Sequence, residues 1–320
     1  MKQYDPQLQS AFDLHTYKGR LQHFNMMLFP SNFFHYNQTI KDYQNTLKKI
    51  ETDPSLQKQY SNQKLWEMKY VILSNTHPQT KECISIPFRT SGFIITNTPI
   101  SFLLAVLPPT PINQIMSQTI NQTFNFCFNY SNRNLSNIYN YKEMTFSYLC
   151  AITVAISSSL GTAAISRRIT FNKFAQKIVL SISPYIGVAL ASSFNLFFSR
   201  YQDFIKGIQV CDIETEMPIR DSCSLQAAKI AFFQALASRV IIPIPVFMIP
   251  IGGMNLLKYY NKYPKGKLSQ NIFGSTLAAL GLWIGSTVGF ALFEQQSKIH
   301  VSLLEEQFHN LKDKKEIKLN

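Results

Sequence analysis

Acidic residues are scarce: 18 Asp and Glu face 31 Lys and Arg across 320 residues, a formal net charge of +13. Charge of either sign nearly vanishes from 144–165, 178–198, 230–257 and 271–293, where Arg239 stands alone. Each stretch has about the 20 residues or more that cross roughly 30 Å of hydrocarbon as a helix. A membrane bundle accounts for four such helices far more simply than one soluble core that buries them all. Cysteine is sparse, and Cys83, Cys127, Cys150, Cys211 and Cys223 form no CxxC. All six histidines fall outside the four stretches, so no metal site and no cofactor is read. A nucleophile with its base, a glycine-rich nucleotide cradle and an HExxH helix are missing as motifs, which argues against an enzyme. No dense basic patch interleaves with aromatics, so the positive charge reads as topogenic and lipid-attracting, with no nucleic-acid partner. Residues 1–20 carry Asp5 and Asp13 and no unbroken apolar core, so neither a secretory signal nor an Arg-rich presequence is read.

What is present divides the chain into a polar helical region at 1–92, a membrane bundle at 93–294 and a polar tail at 295–320. In the first region, Ile40, Tyr43, Leu47 and Ile50 approximate one face of a helix from Asn37 to Lys49 that Asp53-Pro54 stops. A second helix starts near Ser61 and runs toward His77-Pro78, a stiff bend. The region is expected to lie against the bundle or the lipid surface. The fold class is an all-α membrane protein, a five-crossing bundle with broken helices. Its crossings are placed at 94–113, 144–165, 178–198, 230–257 and 271–293. The first is shortest, with Pro99 inside and Pro108, Pro109 and Pro111 behind, and reads either as a full crossing or as a re-entrant element. Five crossings put 19 basic residues on the N-terminal side, including loops 166–177 and 258–270, against 11 on the other. That excess orients the N-terminus toward the cytoplasm or a mitochondrial matrix.

Three features carry function. Arg239 precedes Pro243, Pro245 and Pro250, which deprive a membrane helix of hydrogen bonds. Such a break serves either as a kink with a snorkelling arginine or as a substrate site and gate. Asn121–Asn134 concentrates Asn121, Gln122, Asn125, Asn129, Asn132, Arg133 and Asn134, neutral groups suited to a zwitterion. As a helix it aligns Asn121, Asn125, Asn129 and Arg133 at i,i+4, and an asparagine-rich loop fits equally. Finally, Gly281, Gly285 and Gly289 form a GxxxG series, with a second small-residue face at Ser157–Ala164, for bundle packing or self-association. Glu214, Glu216 and Asp221 read as a solvated charged loop.

Several blocks follow one family in order. They are DLHTYKGRLQHF (13–24), LWEMKYVILSNTHPQT (65–80), IPFRTSGFI (86–94), the Asn-rich stretch, RYQDFIKGIQVCD (200–212), AAKIAFFQALASRVIIPIP (227–245) and the final small-residue crossing. The chain resembles the sideroflexins over nearly its whole length. The resemblance matches His77-Pro78 to that family's HP turn, Pro87-Phe88-Arg89 to its PFR block and Arg239 with Pro243 and Pro245 to its membrane arginine-proline block. It implies a mitochondrial inner-membrane, multi-pass transporter of serine or a related small neutral amino acid, supporting one-carbon metabolism. The alternative is an inner-membrane scaffold or assembly factor, with a protein partner, acting indirectly on respiration or iron and haem metabolism. Where the family usually reads NQSHNA this chain reads NQTFNF, so Phe124 stands in place of a histidine and Phe126 in place of a small residue. The loop after Asp212 also departs from the family's glycine-containing form.

Overall fold

The structure, a computed structural model, describes residues 1–108, 110–133, 141–168, 172–211, 218–294, 298–308 and 316–319. The first region holds α1 (Tyr17–Met27), α2 (Asn37–Thr52) and α3 (Asn62–Asn75). Ser61 caps α3 by accepting from the Lys64 N–H, and Pro54 follows directly on the last turn of α2. The region is more than a set of surface helices. It buries a core of its own, with Trp66 edge-on to Tyr4 at 5.2 Å and packed among Leu47, Ile50, Leu65 and Tyr70.

The bundle begins with α4 (Phe93–Val106) and α5 (Pro111–Ser131). Pro108 and Pro111 break the chain between them, and α5 returns to the end at which α4 entered. There His77 Nε2 donates to the Arg133 carbonyl at 2.8 Å and Asn132 Nδ2 to that of Phe88 at 2.9 Å. α6 (Tyr141–Arg168) and α7 (Lys173–Ser199) form a second antiparallel hairpin. A short α8 (Tyr201–Lys206) follows. α9 (Leu225–Ile241) and α10 (Pro243–Tyr259), broken at Ile242, descend, and α11 (Lys267–Ala291) returns beside them. Three helical stretches among the described residues, Met144–Arg168, Leu225–Tyr259 and Lys267–Ala291, are long and apolar enough to cross a membrane.

This alternation corrects the sidedness expected from five crossings. The segment expected to cross once at 94–113 is α4, the proline break and the first turn of a returning helix. Turns 168–173 and 259–267 therefore lie at the end opposite the N-terminal region, and the loop-charge argument for its orientation loses its basis.

Arg20, 9% exposed, closes the C-terminal end of α11, donating from Nε to Ala291 O at 2.9 Å, with Glu294 3.6 Å from its NH1. Trp283 Nε1 donates to Asn25 Oδ1, and Phe24 packs on Phe290, so α1 is fastened along the last turns of α11. The same end carries an antiparallel sheet of β1 (Ile208–Cys211), β2 (Pro218–Ser224), β3 (Lys298–His300) and β4 (Glu316–Leu319), in the order β2-β1-β4-β3. Two strands thus come from the C-terminal stretch read as a polar tail. Segments of three to seven residues with distant partners leave no local periodicity to read.

The glycine series of α11 is consumed inside the chain. A Cβ on Gly281 would sit 2.5 Å from the Pro245 carbonyl oxygen, and one on Gly285 would collide with that of Ile242. The glycines let α11 press against the α9–α10 break, which takes this face away from self-association.

Candidate functional site

α5 is turned inside out relative to a helix of a soluble protein. Ile112, Ile115, Met116 and Ile120 are exposed, while Gln114, Ser117, Gln118, Asn121 and Gln122 are each at most 5% exposed. The buried positions recur at i, i+3, i+4, i+7 and i+8, one face of a 3.6-residue helix. Lipid accounts for the apolar outside, and neighbouring helices receive the polar face.

Part of that face is paired. Gln118 Nε2 donates to Ser159 Oγ of α6 at 3.1 Å, Ser159 Oγ to the Ser183 carbonyl of α7 at 3.3 Å, and Gln114 Nε2 to Ser183 Oγ at 3.4 Å. Gly187 makes room for this knot, since a Cβ there would lie 2.8 Å from Gln118 Nε2. Between the knot and the α4–α5 turn is a cavity of ≈ 10 Å³, space for about one water, lined by Leu104, Leu107, Gln114, Ser117 and Ser159 among others.

The rest is unpaired. Gln114 Oε1, Asn121 Nδ2 and Gln122 Nε2 on α5, Asn97 Oδ1 on α4 and Ser286 Oγ on α11 are buried without a hydrogen-bond partner in the structure. Each buried group left so costs about 1–3 kcal/mol. Contacts across the bundle bring these groups toward one level. Gln118 meets Ser159, Ser159 meets Ser183, Tyr185 OH donates to the Val240 carbonyl at 3.4 Å, and Gly285 abuts Ile242. Asn121 and Gln122 lie one turn from Gln118, and Ser286 follows Gly285. Phe93 of α4 packs on Phe128 at 5.0 Å and on Phe124, which sets Asn97 beside Asn121 and Gln122 along the antiparallel hairpin. Leu104, two turns from Asn97 on the same face, belongs to the inner cluster of Val246, Phe247 and Leu282 against which Phe93 and Tyr185 pack. The polar level therefore coincides with the α9–α10 break, where Pro243 and Pro245 supply no N–H to the carbonyls of Arg239 and Ile241.

Of the sequence candidates, Asn121 and Gln122 stand on this level. Asn125 is half-buried and Asn129 exposed, because an i,i+4 row drifts about 40° per step around a helix. Arg133 follows the cap residue of α5, with its guanidinium 3.9 Å over the Tyr130 ring. Arg239 is half-buried on α9, has Arg200 as its charged neighbour and forms no hydrogen bond to α5 among the described residues. Pro243 is buried at the start of α10, and the Pro245 carbonyl faces Gly281. His77 and Arg89 are buried in the N-terminal region, Pro78 and Pro87 exposed. Phe124 joins Phe88, Phe93 and Phe128 in an aromatic cluster, and Phe126 packs on Tyr148 at 4.9 Å. Asn134, Glu214 and Glu216 lie outside the described residues, as does the side chain of Asp221. Sequence reasoning missed Asn97, Gln114, Gln118 and Ser286. The i, i+3, i+4 spacing of polar residues opposite isoleucines was the available signal for the two glutamines.

A family model described as Sideroflexins matches residues 7–320. The chain belongs to the sideroflexin family. It is 31% identical to Sideroflexin fsf1 of Schizosaccharomyces pombe, over 95% of this chain and 93% of that one. It is 30% identical to Sideroflexin of Dictyostelium discoideum, over 95% and 92%, and 29% identical to Sideroflexin-5 of Homo sapiens, over 92% and 86%. No solved structure matches the chain. Family and apolar helices together make it a multi-pass membrane protein.

Proposed function

We propose that this sideroflexin carries serine or a related small neutral amino acid across the mitochondrial inner membrane, supplying one-carbon metabolism. Membership of the family supports a mitochondrial, transporter-type role. The observation that carries the reading is the buried face of α5, whose five polar residues bear no net charge. A fixed charge there would favour an ionic solute, whereas neutral amides and hydroxyls suit a solute that is polar and uncharged overall. The proline break across the bundle adds backbone acceptors and a place for the helices to pivot. Toward the α4–α5 turn the bundle leaves a cavity with space for about one water, lined by Gln114 and Ser117, which does not admit an amino acid in this conformation. Opening it means parting the α4–α5 hairpin from α6 and α7, to which it is held by neutral hydrogen bonds of 3.1 and 3.4 Å.

The test is uptake of labelled serine, alanine and glycine into liposomes holding the purified protein, against empty liposomes and an Arg239→Gln variant. Saturable, protein-dependent uptake is expected. Its absence from folded, inserted protein shifts the reading to a membrane scaffold.

A further inference from the structure

The unpaired groups at the polar level differ in kind. Asn121 Nδ2 and Gln122 Nε2 are donors without acceptors. Asn97 Oδ1 is an acceptor without a donor, and Ser286 Oγ is free to play either role. The carbonyls of Arg239 and Ile241, which Pro243 and Pro245 cannot serve, are further acceptors of the same helix break. Asn121 and Gln122 sit on α5, whereas Asn97 and Ser286 sit on α4 and α11.

We propose that this level is the amino-acid site and that it reads the zwitterion by polarity: Asn121 Nδ2 and Gln122 Nε2 receive the carboxylate, and Asn97 Oδ1 receives the ammonium. The assignment rests on the transport reading and deepens it by placing the carboxylate on neutral amides rather than on Arg239. Three facts carry it. The groups are at most 6% exposed, so each is cut off from bulk solvent and gains by a partner brought to it. Donors and acceptors occur together at one height of the α4–α5 hairpin, as the two ends of a single small zwitterion require. Gln114, eight residues and about 12 Å along α5 from Gln122, is too far to share that ligand. Gln114 instead lines the small cavity toward the turn. In a medium of low polarity, oriented neutral dipoles hold both charges of a zwitterion without leaving an uncompensated ion when the site empties. A site of this kind rejects molecules with only one of the two charges, because one set of dipoles then faces nothing.

The experiment uses the purified full chain and measures binding of labelled L-serine and L-alanine, with ethanolamine, which lacks the carboxylate, and glycolate, which lacks the ammonium, as competitors. The amino acids are expected to bind, and neither competitor to displace them. Gln122→Glu, which sets a carboxylate against the ligand's own, and Asn97→Leu should each weaken binding about tenfold or more. The proposal is overturned if both variants bind as the parent does, if ethanolamine or glycolate competes as well as serine, or if Arg239→Gln alone abolishes binding. Ser101→Cys, one turn from Asn97 and buried, gives a second readout should the first variants not fold. L-Serine should protect this thiol from a maleimide and ethanolamine should not, and equal labelling with and without serine also overturns the site. Uptake that persists through these failures leaves the transport reading standing. A folded parent that neither binds nor transports a neutral amino acid removes both.

Discussion

Arg89 of the N-terminal region and the amides of α5 are buried to nearly the same degree, 1% exposed against 4% for Asn121 and Gln122. Each of the three guanidinium nitrogens of Arg89 finds an acceptor: Nε the Ile84 carbonyl at 3.0 Å, NH1 that of His35 at 3.0 Å and NH2 Asn37 Oδ1. Nearby, His23 Nδ1, Ser10 Oγ and Tyr70 OH form a closed triangle. The unpaired buried side-chain atoms found among the described residues all lie in the bundle. A region that only has to stay folded satisfies its buried polar groups. The bundle keeps some of them unpaired, at a cost to its stability, as the proposed solute site requires.

The contrast can be broken from either side. The largest effect is expected from Gly285→Val, which drives a side chain into the Ile242 carbonyl and separates α11 from the helix break. Overpacking against a backbone oxygen that cannot yield goes beyond the usual cost of an overpacked core, and monodisperse protein should no longer be recovered by size-exclusion chromatography. Next comes Arg89→Met, which strands two carbonyls and Asn37 and should destabilise the N-terminal region by roughly 4 kcal/mol. Limited proteolysis should then cut within residues 1–92 while the bundle survives.

Acid acts on the same region somewhat more gently. Burial holds the His23 imidazole at about 4, below its ordinary 6.5. The unfolded chain takes up this proton near pH 6.5 and the folded chain only near 4. Stability conferred by neutral His23 is therefore complete above pH 6.5 and is lost as pH falls toward 4, by about 3 kcal/mol. Thermal unfolding across that range should show the slope, and His23→Gln should flatten it. The smallest effect on stability is expected from Asn121→Leu. Removing an amide with an unpaired donor should change stability by less than about 1 kcal/mol, whereas serine uptake should fall about tenfold. A large loss of stability in Asn121→Leu would show that this amide is structural, and the contrast between the two regions would fail.

Much of the helical fold was legible because its signals are local. The length and apolarity of 230–257 announce a crossing without reference to anything else, and Pro243 and Pro245 announce its break. Ser61 and Asp53-Pro54 punctuate α3 and α2 in the same way. The glycine row on α11 was readable as a packing surface, while its partner was not. α5 was half legible: Gln114, Gln118 and Asn121 dilute its hydropathy, so residues 111–113 read as the end of the first crossing, 114–143 as a loop, and Asn121–Asn134 as loop or helix alike. Asn97 and Ser286 carry no signal at all, since one polar residue in an apolar run has no periodicity.

The sequence by itself determined that this is a helical membrane protein, because hydrocarbon thickness and backbone hydrogen bonding translate directly into runs of apolar residues, and its ordered blocks carried the resemblance to the sideroflexins. Tertiary structure alone decided that α5 folds back on α4, that the polar tail pairs with the 199–229 segment, and which polar atoms are left without partners. Those outcomes depend on which distant side chains meet. An amide is satisfied or empty according to its neighbours in space, and the order of residues along one helix does not specify them.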